Sequence, residues 1–381
     1  MKKYLPQALP QSGDTVIVGM SGGVDSTLTA LLLQQCGCRV IGVTMSLWDG
    51  HIQELHSAKP VHDACYSPHE KEDIEQCRTF CSEHGIEYHV LDVSQAYNRE
   101  VLDYFTAEYR RGRTPNPCIR CNSVIKFGAL LDSVSRMGIE YDYFCTGHYA
   151  MIVRPSEGLW GTDVQPCMIA AALDSSKDQT YFLYRLPSSL LEKVRFPLAT
   201  LHKSEVFALA RQAGLDVADK PESQDFIDGR YFNALFADKP SVPGKVLDTD
   251  GNVIGTHRGI EHYTIGRRKG FQTNLDYPVY IKNINAADNT ITVARRDENL
   301  SEYLIAEDCI WPGNIEPNES FQAIVKIRLR SKPASVTVTR ENEMQWRMTF
   351  DEPQDAVTPG QSAVLYQDGV IVGGGIITDK G

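Results

Sequence analysis

The chain lacks any apolar run of the length that membranes or export require. No stretch of its 381 residues approaches the roughly 18 consecutive apolar residues of a membrane span. The opening MKKYLPQALPQSGD has two lysines but no apolar core of signal-peptide length behind them. A cytoplasmic protein with no membrane partner is therefore expected. Positive charge is also in deficit: 49 acidic residues against 38 Lys and Arg give a net −11. That balance excludes a protein that coats nucleic acid non-specifically, since phosphate neutralisation by Lys and Arg supplies most of such affinity. It leaves room for local basic clusters, of which Arg110-Arg111-x-Arg113 and Arg267-Arg268-Lys269 are the plainest. Internal repeats and low-complexity tracts are missing as well. What remains, at 42% hydrophobic and 23% charged residues, is a globular chain large enough for two or three cores. Its ten cysteines are spread along the chain without a secretion signal, so reduced thiols are expected rather than a disulfide framework.

The first half alternates strand-like runs (TVIVGM, CRVIGVTMSL, IEYHVLDV, YDYFCTGHYAMIV) with helical patterns such as STLTALLLQQ. Strands separated by helices imply parallel pairing, hence a doubly wound α/β sheet over residues 1–213. From about Gly244 the texture turns to short β-rich runs (VYIKNI, TITVARR, FQAIVKIRL, SVTVTR, QWRMTF, VIVGGGII) punctuated by Asn, Asp, Gly and Pro. These predict a C-terminal β-barrel over 277–381, joined to the first domain by a small linking domain over 214–276.

The most informative segment is VIVGMSGGVDSTLTALLL. A strand at Val16–Val18 runs into Gly19, Met20, Ser21, Gly22, Gly23, Val24, Asp25 and Ser26, and then into a helix. Glycines let backbone amides approach a phosphate, and the amides at the helix start, with the Ser21 and Ser26 hydroxyls, donate to its oxygens. The lysine of the GxxxxGK[ST] loop is absent, which disfavours that class of nucleotide triphosphatase. The segment is similar instead to the SGGxDS loop of ATP pyrophosphatases. That likeness implies ATP held by its β and γ phosphates, with Asp25 placed for the Mg2+ that neutralises departing pyrophosphate. Such a loop is shared by amide ligases of the argininosuccinate synthase or amidotransferase kind, and a glycine-rich turn with no ligand is the bland reading.

Further motifs narrow the field. Arg113-Thr114-Pro115-Asn116-Pro117-Cys118-Ile119-Arg120-Cys121-Asn122, Ile125-Lys126-Phe127, Thr146-Gly147-His148-Tyr149, Ser176 through Leu183, and Thr264 through Gly270 occur in this order, followed by Thr358-Pro359-Gly360-Gln361-Ser362-Ala363 and Gly373-Gly374-Gly375. Together they resemble the MnmA family of tRNA-specific 2-thiouridylases across nearly the whole chain. The resemblance implies adenylation of the C2 oxygen of wobble uridine 34 in tRNAs for Lys, Glu and Gln, followed by attack of sulfur and loss of AMP. The chemistry is coherent, because an amide-like carbonyl is a poor electrophile until its oxygen becomes a leaving group, and a thiolate or persulfide is the matching nucleophile. By the same resemblance Gly19 to Ser26, Met45 and Gly147 contact ATP. Asn116, Pro117 and Cys118 lie against the target base, and Lys177, Asp178 and Gln179 against the tRNA. Arg267 and Arg268 fall in a segment near the substrate. Arg328 and Leu329 fall where the family tends to have an Arg-Tyr pair touching tRNA, with the Tyr replaced here. Core packing is the alternative for Met45, and a solvated strand face for Arg328 and Arg330. A sulfur donor, either a cysteine desulfurase or a relay protein, is expected as a partner. A tRNA-binding paralogue without sulfur transfer is the non-enzymatic alternative.

Two departures from the family concern sulfur. The usual Asp-x-x-Cys is here Cys118-x-x-Cys121, so the nucleophile position maps to Cys121. The later segment, Lys220-Pro221-Glu222-Ser223-Gln224-Asp225-Phe226-Ile227, has no cysteine, and Asp225 falls where the family's persulfide carrier stands. One reading is a [4Fe-4S] cluster held by Cys118, Cys121 and Asp225, its fourth iron open to the sulfur that is transferred, with Cys145 as an alternative third ligand. The other is a persulfide relay between Cys118 and Cys121, and a bare structural or zinc-binding CxxC is the third. Cys65, Cys77 and Cys81 near His62, His69 and His84 suggest a zinc site that a buried helix face would explain equally well. Cys36, Cys38, Cys167 and Cys309 read as packing.

Overall fold

The computed structural model describes residues 3–50, 52, 64–215, 226–227 and 229–381. The strand Thr15–Gly19 lies at the centre of a five-stranded parallel sheet. Across it the order is Glu87–Asp92, Arg39–Ser46, Thr15–Gly19, Tyr143–Thr146, Val194–Arg195. Val16, Ile17 and Val18 are all fully buried, which is why this strand reads as a continuous apolar run rather than an alternating one. Val16 and Val18 pack with helices Val24–Gln35, Glu70–Glu83 and Lys203–Gln212, while Ile17 packs on the opposite face with Phe127, Leu130 and Val134. This is the doubly wound α/β arrangement expected from the sequence. Chain connection reverses beside Thr15–Gly19, so the ends of that strand and of Tyr143–Thr146 open a crevice of the kind that binds ligands in such sheets.

A second five-stranded sheet follows, ordered Gln272–Thr273, Val253–His257, Gly244–Leu247, Thr290–Ala294, Tyr280–Asn285 around Val246, Ile281 and Ile291. Its last two strands lie past the boundary expected near Asp276: Ile291 pairs in parallel with Val246, so residues 280–294 fold with the linking segment. Their alternating texture matches that of the barrel strands, and local pattern does not say which sheet a strand will join. The barrel itself runs Val370–Lys380, Leu300–Ile310, Trp346–Asp355, Ala334–Arg340, Phe321–Lys326, Ser362–Gln367 and closes back on Val370–Lys380. Leu304 and Ala306, Val336 and Val338, and Ala363 and Leu365 fill its interior at the two-residue spacing a strand requires. The Gly373-Gly374-Gly375 run lets its strand pass beneath other groups: a Cβ at Gly373 would lie 2.4 Å from the Trp311 ring, and one at Gly375 would lie 2.5 Å from Cys309 Sγ.

Barrel and α/β domain are fastened in two places. Met168–Ala171 and Ala150–Pro155, both leaving the α/β domain, extend the barrel sheet through the Ala170–Val370 pair. Elsewhere Thr114 N donates to Pro359 O at 2.9 Å, and Gln361 Nε2 donates to Thr114 O at 2.9 Å and Pro115 O at 3.3 Å. Gly360 sits so close that a Cβ would approach Thr114 N to 2.8 Å. From the linking domain, Thr264 Oγ1 lies 3.3 Å from Thr114 Oγ1. All three domains thus meet on the residues that lead into Asn116, Pro117 and Cys118.

Candidate functional site

The glycine loop leaves the strand Thr15–Gly19 and enters the helix at Val24, with Gly23 as its N-cap. Gly22 has φ +71°, in the left-handed region that glycine tolerates, and lies against Asp73. The loop is tied by its own serines: Ser21 N donates to Ser26 Oγ at 3.2 Å, and Ser26 Oγ donates to Gly23 O at 3.1 Å. Gly147 comes from the end of the neighbouring strand and closes on the loop so tightly that a Cβ would lie 2.7 Å from the Asp25 carbonyl carbon and 2.9 Å from Ser26 N. Together these residues line a cavity of about 290 Å³ to which Met45, Cys65, Lys126, Lys177 and Gln179 also contribute. Met45 is half-buried, lining the cavity and packing on the core at once. A helix N-terminus, a serine-tied glycine loop and an apolar wall beside it can hold a phosphate chain and a flat base together.

Sequence reading missed the group that governs Asp25. Lys203 Nζ donates to both carboxylate oxygens at 2.7 Å, and Tyr149 OH donates to Oδ1 at 2.9 Å. The Lys203 side chain is 8% exposed and stands at the start of a helix, 178 residues from Asp25, with no local motif to announce it. Because both oxygens are committed to this ion pair, the residues as arranged do not fit a magnesium ion bound directly by Asp25.

Cys118 and Cys121 begin a helix whose entry is strongly determined. Asn116 caps it, Ile119 N donating to Asn116 Oδ1 at 3.2 Å, and Pro117 takes the first-turn position where its missing N–H costs nothing. From Cys121 to Ala129 the helix widens to π geometry, a rare form that clusters at functional sites. Burial pushes the Cys121 thiol up to about 11, opposed by the positive charge of Lys126 and reinforced by Cys65. That upward shift favours the protonated thiol of Cys121 at neutral pH. Between pH 7 and 9 its alkylation by iodoacetamide, followed on the Cys121 peptide by mass spectrometry, should rise about tenfold per pH unit; a plateau below pH 8 would contradict this. His148, beside the cavity, is held well below the usual histidine range by burial, with Lys126 acting in the same direction, and its Nδ1 lies 2.6 Å from Thr146 Oγ1.

Other expected residues fall into different roles. Asp225 lies outside the described residues. Cys145, the alternative third ligand, is fully buried in another core cluster with Cys38, where burial pushes its thiol up against the opposing positive charge of Arg195. Among the described residues no three His, Cys, Asp or Glu side chains converge to hold a metal ion, so a cluster does not fit the described residues by themselves. Cys77 and Cys81 turn into the core, at 2% and 0% exposure, Cys81 reaching Met20 at 3.5 Å. Lys177 and Gln179 line the cavity, but Asp178 turns away to cap Thr180 N at 3.1 Å and to pair with Lys326 of the barrel at 2.7 Å. Arg328 and Arg330 do not alternate on a strand: the strand ends at Lys326, and Ser331 N returns to Arg328 O at 3.2 Å in a turn that leaves Leu329 exposed. Arg111 and Arg113 both pair with the buried Glu108, at 2.8 and 2.9 Å, and Arg110 pairs with Asp238 at 2.6 Å. Arg267, Arg268 and Lys269 stand exposed on the linking domain.

Comparison with known proteins matches the three domains in turn. The family described as tRNA methyl transferase HUP domain matches residues 14–227, the tRNA methyl transferase PRC-barrel domain 234–295, and the aminomethyltransferase beta-barrel domain 301–377. A tRNA-specific 2-thiouridylase MnmA of Endomicrobium trichonymphae is 40% identical over 366 residues, 95% of this chain and 98% of that protein. The tRNA-specific 2-thiouridylase MnmA 1 of Syntrophus aciditrophicus is 41% identical, covering 96% of this chain and 92% of its own length. The protein of that name from Carboxydothermus hydrogenoformans is 40% identical, covering 96% and 98%.

Proposed function

The chain belongs to the MnmA family of tRNA-specific 2-thiouridylases, and from that premise we propose that it adenylates the C2 oxygen of uridine 34 in tRNAs for Lys, Glu and Gln and replaces that oxygen with sulfur, releasing AMP and pyrophosphate. The observation that carries this reading is the shared cavity. The glycine loop that suits a triphosphate, and Lys126 from the helix that starts at Cys118 and Cys121, open on the same space. Transfer of a methyl group would call for no such loop, and an amide ligase would call for no cysteine in the cavity wall, where Cys65 stands.

In this reading the loop amides and the serine-tied helix start hold the phosphates, and Gly147 keeps the loop in place. The uridine leaves its stack and enters beside Asn116 and Pro117, as a base in a single-stranded loop is free to do. Exposed Arg267, Arg268 and Lys269 meet the tRNA backbone. Sulfur arrives on Cys121 as a persulfide from a cysteine desulfurase or relay protein in the cytoplasm. The terminal sulfur of that persulfide attacks C2, and AMP carries the oxygen away. No step here runs through magnesium or iron. A [4Fe-4S] cluster on Cys118, Cys121 and Asp225 is the second reading, favoured by one observation: Phe226, which follows Asp225, packs on the same core as Cys121. Among the described residues no helix is long and apolar enough to cross a membrane.

The test uses purified protein, ATP, unmodified tRNA and a persulfide donor. Pyrophosphate release should depend on tRNA and match 2-thiouridine one for one. Pyrophosphate formed equally without tRNA, or tRNA recovered without 2-thiouridine, would overturn the proposal. Full thiolation by iron-free protein would remove the cluster reading.

A further inference from the structure

We propose that Cys65 is the second thiol of the reaction, the group that frees the thiolated tRNA from Cys121. The proposal rests on the reading of Cys121 as sulfur carrier. Cys65 is exposed and lines the nucleotide cavity together with Lys126. The residue after it is firmly anchored. Tyr66 is buried, its N donates to Phe226 O at 2.9 Å, and its ring stacks on Tyr97 at 5.3 Å and lies 5.0 Å from Trp48. Tyr97 is fully buried in the same core that Cys121 packs against, and it lies within electrostatic reach of Cys65, Cys118 and Cys121 alike. Cys121 in turn feels the charge of Cys65. Three thiols from two separate segments therefore lie within electrostatic reach of one buried tyrosine, and Cys65 among them lines the cavity.

This arrangement answers the departure noted in the sequence. The stretch ending at Phe226 and Ile227 has no cysteine, but the segment hydrogen-bonded to Phe226 supplies one at position 65. Cys77 and Cys81, with which Cys65 was grouped by sequence, are committed to a different core.

After the terminal persulfide sulfur attacks C2 and AMP leaves, the tRNA is joined to Cys121 through a C2–S–S–Cβ linkage. The Cys65 thiolate attacks Cys121 Sγ, the S–S bond breaks, and the electron pair departs with the sulfur on C2, giving 2-thiouridine. A Cys65–Cys121 disulfide forms, and an external dithiol reduces it before a persulfide donor reloads Cys121.

The experiment compares wild type, Cys65→Ser and Cys121→Ser, each preloaded with inorganic polysulfide and then given ATP and unmodified tRNA without reductant. Wild type should release up to one 2-thiouridine per chain, and peptide mapping should show a Cys65–Cys121 disulfide. Cys65→Ser should keep tRNA-dependent pyrophosphate release and lose thiouridine release at least about 100-fold. Its tRNA should remain on Cys121 as a covalent adduct that dithiothreitol discharges as 2-thiouridine. Release at the wild-type rate by Cys65→Ser, or a wild-type disulfide that maps to Cys118–Cys121, would overturn the role of Cys65 alone. Thiolation that survives in Cys121→Ser would overturn the carrier reading beneath it.

Discussion

Replacing Gly147 by alanine should lower ATP affinity and tRNA-dependent pyrophosphate release by about 100-fold, because a misplacement of about 1 Å in a positioning element costs that much in rate. The added methyl meets the Asp25 carbonyl carbon at 2.7 Å, Asp25 Cβ at 2.8 Å and Ser26 N at 2.9 Å. None of these is the far end of a flexible side chain, so relief requires the loop itself to move. The displaced atoms include the helix-start amide proposed to face the phosphates, and on that proposal the damage should fall on nucleotide binding first. Overpacking of this kind costs about 1–3 kcal/mol of stability, which leaves the domain folded and the effect measurable by ATP titration alongside a melting curve. Unchanged ATP affinity in a folded Gly147→Ala protein would show that the loop does not hold the nucleotide.

The second large effect is expected at Lys203. Removing its ammonium by Lys203→Met strands the Asp25 carboxylate with Tyr149 as its remaining partner in the ion-pair geometry described above. Truncating one partner of a buried pair costs about 3–5 kcal/mol; Asp25 is 26% exposed, which places the expected loss near the lower end, at about 3 kcal/mol. Asp25→Asn in the same chain removes the uncompensated charge, so the double variant should regain most of the lost stability in a denaturant titration. Pyrophosphate release should stay low in both, since the carboxylate no longer anchors the first turn of the loop helix. A double variant that is stable and fully active would reduce the pair to a packing detail.

How much of this was legible beforehand depends on whether the signal was local. The parallel sheet could be read from Val16–Val18 and its neighbours because continuous apolar runs and a helix between each pair leave few alternatives. The glycine loop between strand and helix could be read because all of its residues sit within Gly19 to Ser26. The Asp25–Lys203 pair could not, since nothing near Lys203 marks it and only the fold brings it to the loop. Cys65 was grouped otherwise for a related reason: its sequence neighbours Cys77 and Cys81 lie on a helix face that turns into the core, whereas Cys65 lines the cavity and lies within electrostatic reach of Tyr97. The partners of Asp178 and of the arginines at 111 and 113, Lys326 and Glu108, were out of sight in the sequence for the same reason. The π geometry of Cys121–Ala129 has no composition cue at all.

The docking of Gln361 on Thr114 bears on how the molecule comes into being. Domains fold roughly in the order in which the ribosome delivers them, yet the carbonyls of Thr114 and Pro115 receive their donor from a residue 247 and 246 positions downstream. A nascent chain can therefore assemble its nucleotide loop early while the cysteine segment waits, unlatched, until residue 361 has been made and the barrel has closed. On the proposed function, persulfide chemistry would then begin only on finished molecules, and a half-made chain would hold ATP without exposing a correctly seated sulfur carrier.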